Sequence, residues 1–160
     1  MKDIFRKITF DRLALSSVFL VRHAMTIVDP STPSDRWVLS AEGARAAAAL
    51  DLPALPVLSS SEPKALATAA AAGWDATPDD RLREVTRPFY AEGYEDYARR
   101  YLAGDEPEGW EPSAHALERL HAALDGFDGI AVSHGLAIAL YAGLTFDEWR
   151  ALPFPAVLPL

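Results

Sequence analysis

Two short apolar runs, Val18 to Val21 and Gly129 to Val132, contain no alternating polar positions. A strand in a parallel sheet reads this way because helices cover both of its faces. A third, shorter candidate, Pro56 to Leu58, leads into three serines. Helical patterns lie between these runs. Ser40 is placed to cap an alanine-rich helix reaching Leu50, and Pro63 suits the first turn of a second helix ending near Ala71. Tyr94, Tyr97 and Tyr101 recur at helical spacing and predict a helix near 93–103, its aromatic stripe packed on the sheet, with cover over a substrate pocket as the alternative. Pro112 opens a further helix with Leu117, Leu120 and Leu124 on one face. Another follows His134, and a short one spans about Asp147 to Leu152. Strands alternating with helices predict an α/β fold, a three-layer α/β/α sandwich with a mostly parallel central sheet. The proline-rich tail, Leu152 to Leu160, is expected to be extended, as an edge strand.

No internal repeat or linker interrupts the pattern, so the 160 residues read as one domain, with 1–16 as an ambiguous N-terminal extension. Fifteen basic against 23 acidic residues give a formal charge of -8. That balance argues against nucleic acid or an anionic membrane as partner, since both require a basic footprint. Any anion site must then be a local positive pocket in a negative surface. There are no cysteines, which removes disulfides and thiolate metal sites. Lys2, Arg6 and Lys7 resemble the start of a signal peptide. However, Asp11 and Arg12 break the segment after them, and the uncharged run Leu13 to Val21 is about half a membrane span. The expectation is a soluble, cytoplasmic protein.

The two clearest strands share a feature at their carboxyl ends. The first runs into Arg22-His23, the second into Ser133-His134-Gly135. Ligands of open α/β sheets bind outside such ends, particularly where strand order reverses. Two histidines more than a hundred residues apart could therefore meet in one pocket. His115 and His121, by contrast, fall away from the leucine face of their helix and read as surface residues. A third element, Ser59-Ser-Ser-Glu-Pro-Lys-Ala-Leu-Ala-Thr-Ala69, enters a helix at Pro63. A helix N-terminus offers free N–H groups and a positive dipole end to an anion, and Lys64 adds a cation there.

Together these motifs resemble the histidine phosphatase superfamily, with its phosphoglycerate-mutase-like fold. Arg22-His23-Ala24 is similar to the family's Arg-His-Gly, and Thr26 matches the threonine of its longer form. Val38 to Leu50 resembles the entry to its first long helix, and Ser59 to Ala69 its Ser-Ser segment, with Lys64 at an arginine position. Leu82-Arg-Glu-Val85 resembles its Leu-x-Glu site, and Ala131 to Gly135 its second histidine. The matches fall in family order over about residues 17–140.

The resemblance implies phosphoryl transfer to His23, giving a phosphohistidine that water hydrolyses. Arg22 and Lys64 would neutralise the phosphoryl oxygens, and His134 would donate to them. Glu84 is the expected general acid, while Thr26 and Ser133 are further substrate-binding candidates. These cations supply the charge that a metal supplies elsewhere, so no cofactor or metal is expected. The implied substrate is a phosphorylated small molecule or a phosphoprotein. Hydrolysis is favoured over mutase chemistry because the short chain carries no large insertion. Ala24, Met25 and Lys64 depart from the family pattern, and they keep open a phosphate-binding or regulatory protein without turnover.

Overall fold

A computed structural model describes residues 17–88 and 92–160. The expected extension over 1–16 lies outside the described residues. Five strands form one sheet: β1 (Val18–Arg22), β2 (Val57–Ser59), β3 (Ala76–Pro78), β4 (Gly129–Ser133) and β5 (Ala156–Pro159). Their order is β3-β2-β4-β1-β5, parallel except for β5, which runs antiparallel to β1. The tail is thus an edge strand, as its prolines require. At the opposite edge, β3 was not anticipated. It has only three residues, its side chains are largely exposed, and it ends in Pro78, so it carries no apolar signal.

Among the described residues, six α-helices surround the sheet: α1 (Ala41–Ala48), α2 (Pro63–Ala71), α3 (Tyr94–Leu102), α4 (Ser113–Leu124), α5 (Gly135–Ala142) and α6 (Phe146–Arg150). Ser40 caps α1 by accepting the Gly43 N–H, and Pro63 occupies the first turn of α2. Alternate residues of β1 face opposite layers. Val18 and Leu20 pack with Leu120, Leu124 and Ile138 of α4 and α5. Val21 packs on the other face with Val57, Ala65, Ala69, Ile130 and Val132. The five residues from Gly135 to Ala139 are all buried, because α5 lies between the sheet and the outer helices.

The tyrosine stripe departs from expectation. Tyr101 is buried, but in a helical cluster with Ala98, Ala116, Leu136 and Trp149 rather than on the sheet. Its hydroxyl donates to the Glu111 carbonyl at 2.8 Å. Tyr97 is exposed, and Tyr94 is half-buried. Among the described residues, no helix is long and apolar enough to cross a membrane.

Candidate active site

Sheet register builds the floor of the site. Arg22 pairs with Ser133 across the parallel β1–β4 ladder, and the His23 N–H continues it by donating to the Ser133 carbonyl at 3.0 Å. His23 and His134 therefore leave adjacent strand ends side by side, their ring centroids 5.3 Å apart. From β1 the chain crosses to β2, beyond β4; from β4 it returns to β5, beyond β1. The two histidines stand where the connections diverge, the switch point at which such sheets bind ligands.

A cavity of about 350 Å³ opens over these ends, bordered by Arg22, His23, Thr26, Lys64, Glu84 and Arg87 together with six large apolar side chains. Five expected residues, Arg22, His23, Thr26, Lys64 and Glu84, are thus brought to one cavity. His134 is fully buried beside His23 and is not among the lining residues. Ser133 does not reach it either: its buried hydroxyl donates to the Leu82 carbonyl at 2.7 Å, tying β4 to the turn before Glu84. Both His115 and His121 are exposed, and His121 pairs with Asp125.

His23 is held in one tautomer. Its Nδ1 lies 2.8 Å from the Ala24 carbonyl, an acceptor only, so Nδ1 carries the proton and Nε2 keeps a free lone pair. Burial, together with the nearby Lys64 and Arg22 charges, lowers its pKa to about 3, against the Ala24 bond that favours the proton. The imidazole is therefore neutral throughout the physiological range. Ala24 needs no left-handed backbone, since no described non-glycine residue has a positive φ. Its N–H donates to Thr68 Oγ1 at 2.9 Å, and that hydroxyl donates to the Lys64 carbonyl at 2.7 Å. One threonine on α2 thus fixes both the turn behind His23 and the turn carrying Lys64.

Arg22 is buried, and desolvation lowers its pKa to about 10, with Glu84 and Tyr94 opposing; it remains a cation at neutral pH. Its Nη1 donates to the Leu152 carbonyl at 2.9 Å, and its plane lies 3.5 Å from the Phe154 ring centroid. Gly135 makes this approach possible. A Cβ there would meet Arg22 Nη2 at 2.9 Å and Trp149 Nε1 at 2.8 Å, below any real contact. Lys64 is buried in the first turn of α2, where the helix dipole opposes a positive charge. Its ammonium is compensated by the Ser34 carbonyl at 2.7 Å and Glu62 Oε2 at 3.3 Å.

Glu62 was not foreseen as a site residue, because a glutamate before a helix-initiating proline reads as ordinary capping chemistry. Its Oε2 lies 3.6 Å from His134 Nδ1, and both atoms are buried without a hydrogen-bond partner. Burial raises the Glu62 pKa, with Lys64 acting against it. Complete burial drives His134 well below the ordinary histidine range, aided by His23, Lys64, Arg87 and Arg119. At its other edge, His134 Nε2 lies 2.8 Å from Ser60 Oγ, which accepts the Glu62 N–H.

Glu84 sits at the N-terminus of α5. Its Oε1 accepts from Val85 and Ala137 N–H, and its Oε2 accepts from Leu136 N–H alone. Arg119 supports this loop from below. It donates to the carbonyls of Arg81, Arg83 and Glu84 while binding the Glu111 carboxylate through two nitrogens. Arg87 is a second unforeseen residue. It has no carboxylate partner among the described residues and rests its guanidinium 4.7 Å from the Tyr94 ring centroid. Phe154, Trp149, Trp37 and Tyr94 complete the cavity wall. Tyr94 comes from the tyrosine stripe, whose alternative reading is pocket cover; no local motif announces the other three, because they come from separate segments.

No protein-family model matches the sequence, and no curated protein does. Solved structures do. A structure of TTHB049 from Thermus thermophilus aligns with a TM-score of 0.72 at 24% identity, covering 90% of this chain and 92% of that one. The crystal structure of phosphoglycerate mutase from the same organism aligns at 0.65 and 29% identity, covering 78% and 81%. Mycobacterial hydrolase 1 aligns at 0.64 and 20% identity, covering 90% and 88%. With its mostly parallel five-stranded sheet between helical layers, the chain has a phosphoglycerate-mutase-like fold.

Proposed function

We propose that the protein is a phosphomonoesterase that works through a phosphohistidine on His23 and needs no metal. The observation that carries this reading is the state of His23: Nδ1–H is tied to Ala24, Nε2 is free, and the ring is neutral between Arg22 and Lys64. Neutral imidazole attacks without first losing a proton. Its Nε2 lone pair forms the N–P bond while the P–O bond to the alcohol breaks, the electron pair leaving on oxygen. Arg22 and Lys64 balance the charge on the remaining phosphoryl oxygens. Glu84 protonates the leaving oxygen from Oε2, which holds one N–H bond and retains a lone pair for the proton. Water then attacks phosphorus, Glu84 recovers a proton, and Nε2 regains its lone pair as inorganic phosphate departs. The names of two similar structures, a phosphoglycerate mutase and a hydrolase, agree with an enzyme.

A binding or regulatory role without turnover is the second reading. It is favoured by Glu84, whose carboxylate already accepts three backbone N–H bonds. Hydrolysis of p-nitrophenyl phosphate in EDTA separates the two. The wild-type protein is expected to turn over and, quenched into base where P–N bonds survive, to carry one added phosphoryl group. His23→Ala is expected to lose at least about a thousandfold in kcat/KM together with the phosphoenzyme. Full activity in that variant overturns the nucleophile, and phosphate binding without turnover in the wild type supports the second reading.

A further inference from the structure

The floor of the cavity is charged, and most of the remaining large side chains that line it are apolar. Trp37, Tyr94, Trp149, Phe154, Met25 and Val28 line the space above His23 and Arg22. Phe154 lies against both reacting-site side chains, 3.5 Å from the Arg22 guanidinium and 5.5 Å, between ring centroids, from His23. Trp37 is fixed by its indole N–H, which donates to the Asp29 and Thr32 carbonyls at 3.0 Å each. The lip is apolar as well. Of seven exposed large hydrophobic residues among those described, Met25, Ile27, Val28 and Val38 belong to the paired segments beside the cavity, and Phe154 lies across it. Met25, Val28 and Phe154 also line the cavity, and Val28 is 58% exposed, so part of this apolar surface belongs to the entrance of the site.

Among the described residues, the one cation lining the cavity that is not committed to the floor fits the same pattern. Arg87 lies over the Tyr94 ring and reaches only neutral oxygens, Val85 O at 3.4 Å and Ser34 Oγ at 3.5 Å. A guanidinium in this arrangement extends an aromatic surface by stacking.

Resting on the phosphomonoesterase reading, we infer that the preferred substrates are small phosphomonoesters whose alcohol carries an aromatic or bulky apolar group and no second anion. The phosphoryl group would meet Arg22, His23 and Lys64, and the apolar group would lie between Trp37, Val28 and Phe154. Burying a ring of that size changes an equilibrium by about 10- to 100-fold. That sets the scale of the preference.

The test compares benzyl phosphate with glycerol 3-phosphate and 3-phosphoglycerate, since benzyl alcohol and glycerol both leave as primary alcohols. Benzyl phosphate is expected to exceed glycerol 3-phosphate by about 10- to 100-fold in kcat/KM. In Trp37→Ala, and in the exposed Val28→Ser should the tryptophan variant fail to fold, that ratio is expected to contract several-fold. Equal rates, or a preference for 3-phosphoglycerate lost in Arg87→Leu, overturn the inference and leave the phosphatase reading intact. If nothing turns over, that reading fails first. The inference is then read from calorimetric binding of benzylphosphonate against 2-hydroxyethylphosphonate, where tighter binding of the benzyl compound supports it and equal binding overturns it.

Discussion

At the floor of the candidate site, Arg22 ends β1 and His23 follows it, and His134 follows β4 in matching register. Across the cavity, the wall is gathered from Met25, Val28, Trp37, Tyr94, Trp149 and Phe154. The floor is positioned by backbone hydrogen bonds of the sheet and by buried polar contacts such as Thr68 to Ala24. The wall depends on side chains from loops and helix ends meeting in space. A sheet fixes reacting groups within a narrow range of geometry, whereas loops can change their contacts without moving it. On the proposed reading, chemistry belongs to the first region and selectivity to the second.

The largest effect expected from separating them is at Lys64. Lys64→Met keeps the stem that packs in α2 but removes the ammonium facing the cavity. The loss of one preorganised charge is worth about 10²- to 10³-fold in turnover. It should reduce kcat/KM for benzyl phosphate and glycerol 3-phosphate alike. Wall substitutions should instead change the ratio between the two. A Lys64→Met variant that altered only the ratio would break the division between floor and wall.

The same division explains what the sequence made legible. Val18 to Arg22 and Gly129 to Ser133 are continuous in sequence and buried on both sides, so their pattern and the histidines after them stand out. The ladder then brings His23 to His134 without any further signal. By contrast, Phe154 reaches Arg22 only because β5 returns antiparallel beside β1. Tyr94 reads as core because helical spacing reports that a face is covered, not what covers it. Glu62 was hidden for another reason: its importance comes from burial between Lys64 and His134, and burial of a carboxylate has no sequence mark. Ser133 lay in the right motif but points to Leu82, since successive strand residues face opposite layers.

Acid titration sharpens the comparison through stability. His23 and His134 have folded-state pKa values lowered by burial, His23 to about 3. Below the ordinary histidine value of about 6.5, the unfolded chain binds protons that the folded one does not, so stability falls as pH falls. Each histidine contributes up to about 1.4 kcal/mol per pH unit. Glu62 acts in the opposite sense, because its raised pKa lets the folded state take up a proton first. Between pH 6.5 and 5 the two histidines together are expected to give a slope that steepens from about 1.4 towards 2.7 kcal/mol per unit, less the opposing Glu62 contribution, measured by urea unfolding. His23→Asn should reduce that slope by up to about 1.4 kcal/mol per unit, most near pH 5. A flat profile through this window would mean that the floor is hydrated enough to protonate. Ring signals of His23 and His134 that titrate between pH 5 and 8 would lead to the same conclusion.

The smallest effect concerns two threonines, one on each side of the divide. Thr68 is buried; its hydroxyl accepts the Ala24 N–H and donates to the Lys64 carbonyl. Thr26 is half-buried at the cavity lip and, among the described residues, makes no side-chain hydrogen bond. Valine replaces either with almost the same shape. In Thr68→Val the Ala24 N–H is left buried without an acceptor, which costs about 1 to 3 kcal/mol and loosens the turn that sets His23 Nδ1 on Ala24 O. Stability should fall with an unchanged urea m-value, and kcat should fall more than KM rises. Thr26→Val should stay within about 0.5 kcal/mol of wild type. If Thr26→Val lowered kcat as much as Thr68→Val, the Thr26 hydroxyl would have to act on the phosphoryl group itself, and the floor would extend one residue pair beyond the strand end.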